Sequence, residues 1–232
     1  MQKTNYQKQL DEILKNLGQK TNGRKPTVLL HACCAPCSSY VIEYLSGYFA
    51  ITIFYYNPNI HPRTEYERRL AELKKFLTQF PPALQHAVNL VVADYNPEDY
   101  FEQTNVRSET ALQTEPEKGE RCRRCYAFRM KKAWEYACAQ QFDWFTTTLS
   151  ISPHKDAQKI NTIGRELASD EKQTNDSFYS CLTQFLPADF KKKGGFLRST
   201  ELSAEYDLWR QDYCGCVYSQ KSARFVAGSH IV

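Results

Sequence analysis

Seven of the nine cysteines in this 232-residue chain fall into three groups whose spacing could do chemistry. Cys33, Cys34 and Cys37 stand in His31-Ala32-Cys33-Cys34-Ala35-Pro36-Cys37-Ser38. Cys122 and Cys125 form a Cys-Arg-Arg-Cys pair, and Cys214 and Cys216 flank Gly215. Vicinal thiolates diverge and reach one small ion awkwardly, but each can hold a different iron of a multi-iron cluster. The spacing of Cys122 and Cys125 turns two thiolates toward one centre, and the helix that follows offers its positive N-terminal end. Two plus two gives the four thiolates of an iron–sulfur cluster. An all-cysteine zinc site also needs four, and plain buried thiols are a third reading. The cluster is favoured over zinc because zinc sites usually use two Cys-x-x-Cys knuckles.

Glycine between Cys214 and Cys216 permits the tight turn that brings both sulfurs within bonding range. A disulfide closing so small a loop is expected to be easily reduced, suited to cycling rather than stapling. Two further metal ligands are the other reading of that pair. Cys138 and Cys181, in a helical pattern and an apolar stretch, read as core packing. The expectation is that all three thiol groups converge on one metal and redox centre.

The remaining polar candidates are weaker. His31 ends a buried strand and reads as a structural histidine with satisfied partners. His61 and the run His154-Lys155-Asp156 can orient loops or touch substrate. Basic residues crowd around the second cysteine pair (Lys118, Arg121, Arg123, Arg124, Arg129, Lys131, Lys132), and Lys191-Lys192-Lys193 and Arg198 precede the third. A solvated helix face is the plain reading of such runs. Their position beside cysteine pairs points instead to a polyanion such as RNA. The net charge of +4 is too mild to argue for nucleic acid alone.

These residues must be positioned by something, and the sequence alternates. Gln7 to Leu17 is an amphipathic helix stopped at Gly18, followed by a polar linker to Pro26. Thr27–Leu30, Ile51–Tyr56, Asn89–Ala93 and Trp144–Thr147 read as strands, with a weak strand near Phe178–Cys181. Helices are expected over Ser38–Leu45, Glu65–Phe80, Cys122–Ala139, Asp156–Leu167 and Ser203–Trp209, and Glu102–Glu120 as a surface loop or lid. Strands alternating with helices imply right-handed crossovers and a parallel, doubly wound α/β sheet. Ligands then sit beyond the carboxyl ends of the strands, where Cys33 and Cys34, Asn57–His61, Asp94–Tyr100 and Ser150–Asp156 would open on one edge.

At this length the chain can bury a sizeable core. The expected organisation is an N-terminal helix and linker over 1–26 and one α/β catalytic domain over 27–232, ending in the helical redox segment. No run approaches the roughly 18 apolar residues of a membrane span, and the opening residues lack the apolar core of a secretory signal. A soluble, cytoplasmic protein is expected, where a reducing environment favours metal-binding or catalytic thiols over disulfides.

With these residues in view, the sequence resembles the epoxyqueuosine reductase family QueH from Leu29 to Ser219. The resemblance rests on six blocks in order: His31–Ser38, Tyr56–Pro62, Gly119–Tyr126, Thr147–Asp156, Lys191–Ser199 and Tyr213–Ser219. It implies a tRNA-modifying reductase that converts epoxyqueuosine to queuosine at the wobble position, on a fold similar to the PP-loop nucleotide-binding group. It implies a [4Fe-4S] cluster on Cys33, Cys34, Cys122 and Cys125, an additional iron for which Cys37 is a candidate ligand, and Cys214 and Cys216 as a redox-active pair. Its partners would be tRNA carrying epoxyqueuosine and an electron donor the sequence does not identify. Asp94, His154, Asp156 and Tyr126 are candidate proton donors, and Arg123 and Arg124 would hold anticodon-stem phosphates. The alternatives are an ATP-dependent RNA sulfur transferase, disfavoured because the loop after strand one has no glycine to cradle a pyrophosphate, and a zinc-stabilised RNA-binding module.

Overall fold

The computed structural model describes residues 4–20, 24–169 and 181–220. Within them five parallel strands form one sheet in the order β3-β2-β1-β4-β5. The strands are β1 (Thr27–His31), β2 (Ala50–Tyr55), β3 (Asn89–Val92), β4 (Trp144–Thr147) and β5 (Gln184–Phe185). β1 is central, pairing with β2 through Leu30↔Ile53 and with β4 through Leu30↔Thr146. Its side chains alternate between two cores, as a strand's period of two demands. Val28 and Leu30 join one with Ile51, Ile53 and Tyr55; Leu29 joins the other with Phe54 and Phe145.

The first core is covered by α1 (Tyr6–Lys20), α2 (Ala35–Leu45), α3 (Arg63–Leu77), α4 (Pro81–Gln85) and α9 (Gly195–Glu205). The second is covered by α5 (Pro97–Thr104), α6 (Ala111–Thr114), α7 (Glu120–Ala139) and α8 (Ala157–Ser169). The expected doubly wound parallel α/β sheet is therefore present. No described helix is long and apolar enough to cross a membrane.

Local expectations change at four places besides the end of α1, which runs past Gly18 to Lys20. α2 begins at Ala35, not Ser38, because Pro36 suits a first helical turn. The segment 102–120 lies at the surface but is not a bare loop: it holds the end of α5 and all of α6, Val106 and Leu112 are buried, and Arg121 Nη1 donates to Leu112 O at 2.6 Å. The helix expected over Ser203–Trp209 lies instead at Gly195–Glu205, and Trp209 falls in irregular chain; residues 217–220 are helical again. Cys138 and Cys181 are not free core thiols but a disulfide with Cα atoms 5.1 Å apart, joining the end of α7 to the approach to β5. The strand expected near Phe178–Cys181 lies, but for Cys181, outside the described residues.

Candidate active site

In the strand order 3-2-1-4-5 the chain winds both ways from β1, so the crevice opens beyond the carboxyl ends of β1 and β4. His31 stitches that crevice shut from below. Its Nδ1 lies 2.8 Å from Thr147 Oγ1 on β4, and its Nε2 3.2 Å from Tyr56 O beyond β2. Burial, with the Arg129 charge, drives its pKa down to about 3, so the ring is a neutral brace, as its position suggested.

Past His31 the chain turns, and Cys34 caps α2 in an extended conformation. Cys37 follows one helical turn later. The Sγ atoms of Cys33, Cys34 and Cys37 all lie within 4.8 Å of one another, with Cys33 and Cys34 at 3.8 Å. Three soft sulfur donors so placed could hold a thiophilic metal, and they suit iron or zinc better than a hard cation. Contacts from Cys34 and Cys37, aided by Arg129 and Arg69, hold the Cys33 thiol well below its usual range. The same contact pushes Cys34 up to about 12.

α7 presents the second pair. The Glu115 carboxylate accepts from the backbone N–H groups of Glu120 and Arg121, each at 2.7 Å, and so caps the helix. Cys122 and Cys125 then share one buried face, three residues apart. They lie outside the close group of Cys33, Cys34 and Cys37. Arg129, one turn on, donates from Nη2 to Asn57 Oδ1 at 2.5 Å and reaches toward Cys125 Sγ at 3.9 Å. Its Nε is buried without a partner.

The third pair lies on an irregular strap, residues 206–216, held by α3. Arg69 is fully buried, and its guanidinium donates to Tyr213 O and Cys214 O at 3.3 Å each and to Glu65 Oε1 at 2.7 Å. Gly215 has φ +100°, and a Cβ there would come within 2.8 Å of Ile60 Cγ1. Cys214 and Cys216 are free thiols with different surroundings. Contact with Cys216, helped by Lys155 and the Ser219 hydroxyl at 3.1 Å, holds Cys214 well below the usual thiol range. Cys216 is pushed up by that contact and lies 2.9 Å from Tyr100 Oη.

Cys33, Cys37 and Cys214 line one cavity of about 740 Å³, with Arg129, Lys155 and Glu117 among its polar walls. Burial opposes the charge of Lys155, but Cys214, Tyr126 and Glu117 hold its pKa well above the ordinary value. Its Nζ lies 5.8 Å from the centre of the Tyr126 ring, whose hydroxyl is buried and unpartnered. His154 also lines the cavity. Of the other candidate proton donors, Asp156 caps α8 through the N–H groups of Gln158 and Lys159, and Asp94 is exposed.

From the sequence Cys37 is only a candidate ligand for an additional iron; Pro36 in the first turn of α2 is the signal that places it one turn beyond Cys34. Arg129 was submerged in a basic run. Arg69 and Gln211, whose Nε2 donates to Cys34 Sγ at 3.1 Å, had no local signal. Arg123 and Arg124, expected to meet phosphates, are each ion-paired: Glu120 takes Arg123 at 2.6 and 2.7 Å, and Glu109 takes Arg124 at 2.7 and 3.0 Å.

A parallel α/β sheet whose carboxyl edge opens into a thiol-lined, cationic cavity defines a class, that of redox or metal-dependent enzymes. The sequence matches the epoxyqueuosine reductase QueH family over residues 28–222. It is 41% identical over 220 residues to the epoxyqueuosine reductase QueH of Streptococcus pyogenes serotype M1, an alignment covering 95% of this chain and 80% of that one. With the same-named protein of Staphylococcus epidermidis it shares 36% over 218 residues, 94% and 85% of the two chains. With that of Thermotoga maritima it shares 32% over 199 residues, 83% and 90%. The chain belongs to the epoxyqueuosine reductase QueH family and is an oxidoreductase.

Proposed function

We propose that this protein reduces epoxyqueuosine to queuosine at the wobble position of tRNA. The [4Fe-4S] cluster would be held by Cys33, Cys34, Cys122 and Cys125, an additional iron would draw on Cys37, and Cys214 and Cys216 would be the redox-active pair. The observation that carries this reading is the convergence of Cys33, Cys37 and Cys214 on one cavity of about 740 Å³, a volume in the range of small-ligand sites. Removing the epoxide oxygen as water, with the ring carbons left doubly bonded, consumes two electrons and two protons. When bound, an iron–sulfur centre with an exposed iron supplies Lewis acidity and a route for electrons.

The chain's own residues account for the rest. Cys214, held as thiolate, is the thiol that faces the cavity, and Cys216 stands behind it. Closing their disulfide releases two electrons and the Cys216 proton. Lys155 Nζ and the Tyr126 hydroxyl hold protons beside Cys214. Arg129 offers a fixed positive charge where oxygen charge would develop.

The test is anaerobic incubation of the purified protein with epoxyqueuosine-containing tRNA and a reductant, followed by nucleoside mass analysis. Loss of one oxygen from the modified nucleoside is expected; an unchanged nucleoside with iron and sulfide bound would sink the reading. Cys214→Ser should keep its iron yet stop turnover, whereas loss of iron would move Cys214 into the ligand set.

A further inference from the structure

The exposed cations of this molecule divide by what faces them. Arg123 and Arg124 are taken up by Glu120 and Glu109, Arg107 by Glu98, Arg198 by Glu43 and Glu201, and Lys193 by Asp11. Arg68, Lys192 and Arg210 are also exposed and, like Lys74, Lys75, Lys118 and Arg165 elsewhere on the surface, have no ion-pair partner among the described residues; these three adjoin the start of α9 and residues 209–210. Two of the three lie over aromatic rings instead. The Arg68 guanidinium carbon is 3.7 Å from the centre of the Trp209 ring, and that of Arg210 is 5.5 Å from the centre of Phe196. Both rings are themselves open to solvent, Trp209 at 41% and Phe196 at 37%. Phe196 and Arg210 line the cavity that holds Cys33 and Cys214, and Trp209 is the next residue along the strap.

Exposed aromatic faces backed by guanidinium groups outside any close ion pair, Arg68 having the Glu72 carboxylate one turn along α3, fit unpaired nucleotides, whose bases stack on rings and whose phosphates need cations. A protein partner would leave these three charges without carboxylates unless it supplied them. A base-paired stem would offer phosphates but no free base faces. We propose that the cavity rim made by the start of α9 and residues 209–210 is the surface that grips the single-stranded loop of the RNA substrate. Phe196 stacks on the nucleotide beside the reacting one, Trp209 stacks on a further base, and Arg68, Arg210 and Lys192 meet phosphates. The proposal rests on the reading of the substrate as tRNA and moves its grip from the paired arginines of α7 to this rim. Two contacts brace the strap against the load: Trp209 N donates to Glu72 Oε1 on α3, and Arg210 donates to Ser203 Oγ at 3.2 Å on α9.

The experiment measures fluorescence anisotropy of a labelled synthetic anticodon stem-loop RNA, with guanosine at the wobble position, against the anaerobically purified full chain. Phe196→Ala with Trp209→Ala should weaken binding by about tenfold or more. Phe196→Tyr with Trp209→Phe, which keeps both ring faces, should bind within about twofold of wild type. Arg68→Gln with Arg210→Gln should reduce the slope of log affinity against log salt by roughly one to two. Arg123→Gln with Arg124→Gln should change affinity less than about twofold, since those charges are already matched. Wild-type affinity in the Phe196→Ala, Trp209→Ala protein would overturn the proposal while leaving the tRNA reading intact. So would a larger loss from the α7 pair than from the rim. A wild-type protein that fails to bind the RNA at low salt would overturn both.

Discussion

Arg69 organises the site although nothing about its type or spacing marks it. Its buried guanidinium ties the carbonyls of Tyr213 and Cys214 to α3 and places a positive charge near Cys33 and Cys34. Arg69→Met would leave Glu65, 12% exposed, without its partner and two strap carbonyls without donors. A loss of about 3 kcal/mol is expected in chemical denaturation. A change under about 0.5 kcal/mol would show that the strap does not need this anchor. Gly215 is constrained for a different reason: its backbone is left-handed, and Ile60 occupies the space a Cβ would need. Gly215→Ala should cost about 2 kcal/mol and slow thiol–disulfide cycling of Cys214 and Cys216. Quenched-flow alkylation of the two thiols reads the second effect. Gly215 is marked by its place between two cysteines, but Arg69 has no local signal, because what it holds lies on another element.

Among the elements, α1 shows how a helix is docked by one apolar face and one polar contact. Leu10 and Leu14 enter the core, and Asp11 accepts from Tyr44 Oη at 2.9 Å and pairs with Lys193 at 2.6 Å. Burial works against the carboxylate, but Lys193, Tyr44 and Gln7 hold the Asp11 pKa below its ordinary value of 3.8. The unfolded chain therefore takes up the proton first. The stabilisation is complete above pH 3.8 and is lost as pH falls through the lower folded value. The pair is partly exposed, so the effect should stay under about 1 kcal/mol. Amide exchange of α1 should quicken in that acid window, and Asp11→Asn should remove the dependence. The helix itself was legible from Leu10, Leu14 and Leu17, because amphipathic spacing is local. That it runs on to Lys20 was not, since a single glycine is only a weak helix-stop signal.

At the scale of the molecule, the Cys138–Cys181 bond closes a loop across 43 residues of sequence separation. Alkylation of the denatured, unreduced apoprotein should label seven of its nine cysteines, and all nine after reduction. Nine labels without reductant would exclude the bond. Cys138→Ser should lower unfolding stability by about 2–4 kcal/mol, measured in denaturant without reducing agent. The amino-acid sequence by itself determined the alternation of strands and helices, the parallel sheet, and the edge on which Cys33 and Cys34 would be found. Those follow from periodicities read over a few residues and from the handedness of crossovers. Only the tertiary structure decided which charges are spent and which are free. It buried Arg69, matched Arg123 and Arg124 with acids, and left Arg68 and Arg210 over exposed rings. It also brought Gln211 to Cys34 across 177 residues and set the sulfurs of Cys33, Cys34 and Cys37 within 4.8 Å of one another. A residue's charge or thiol is read from the chain, but what it does depends on what packs opposite, and that neighbour lies outside any local window.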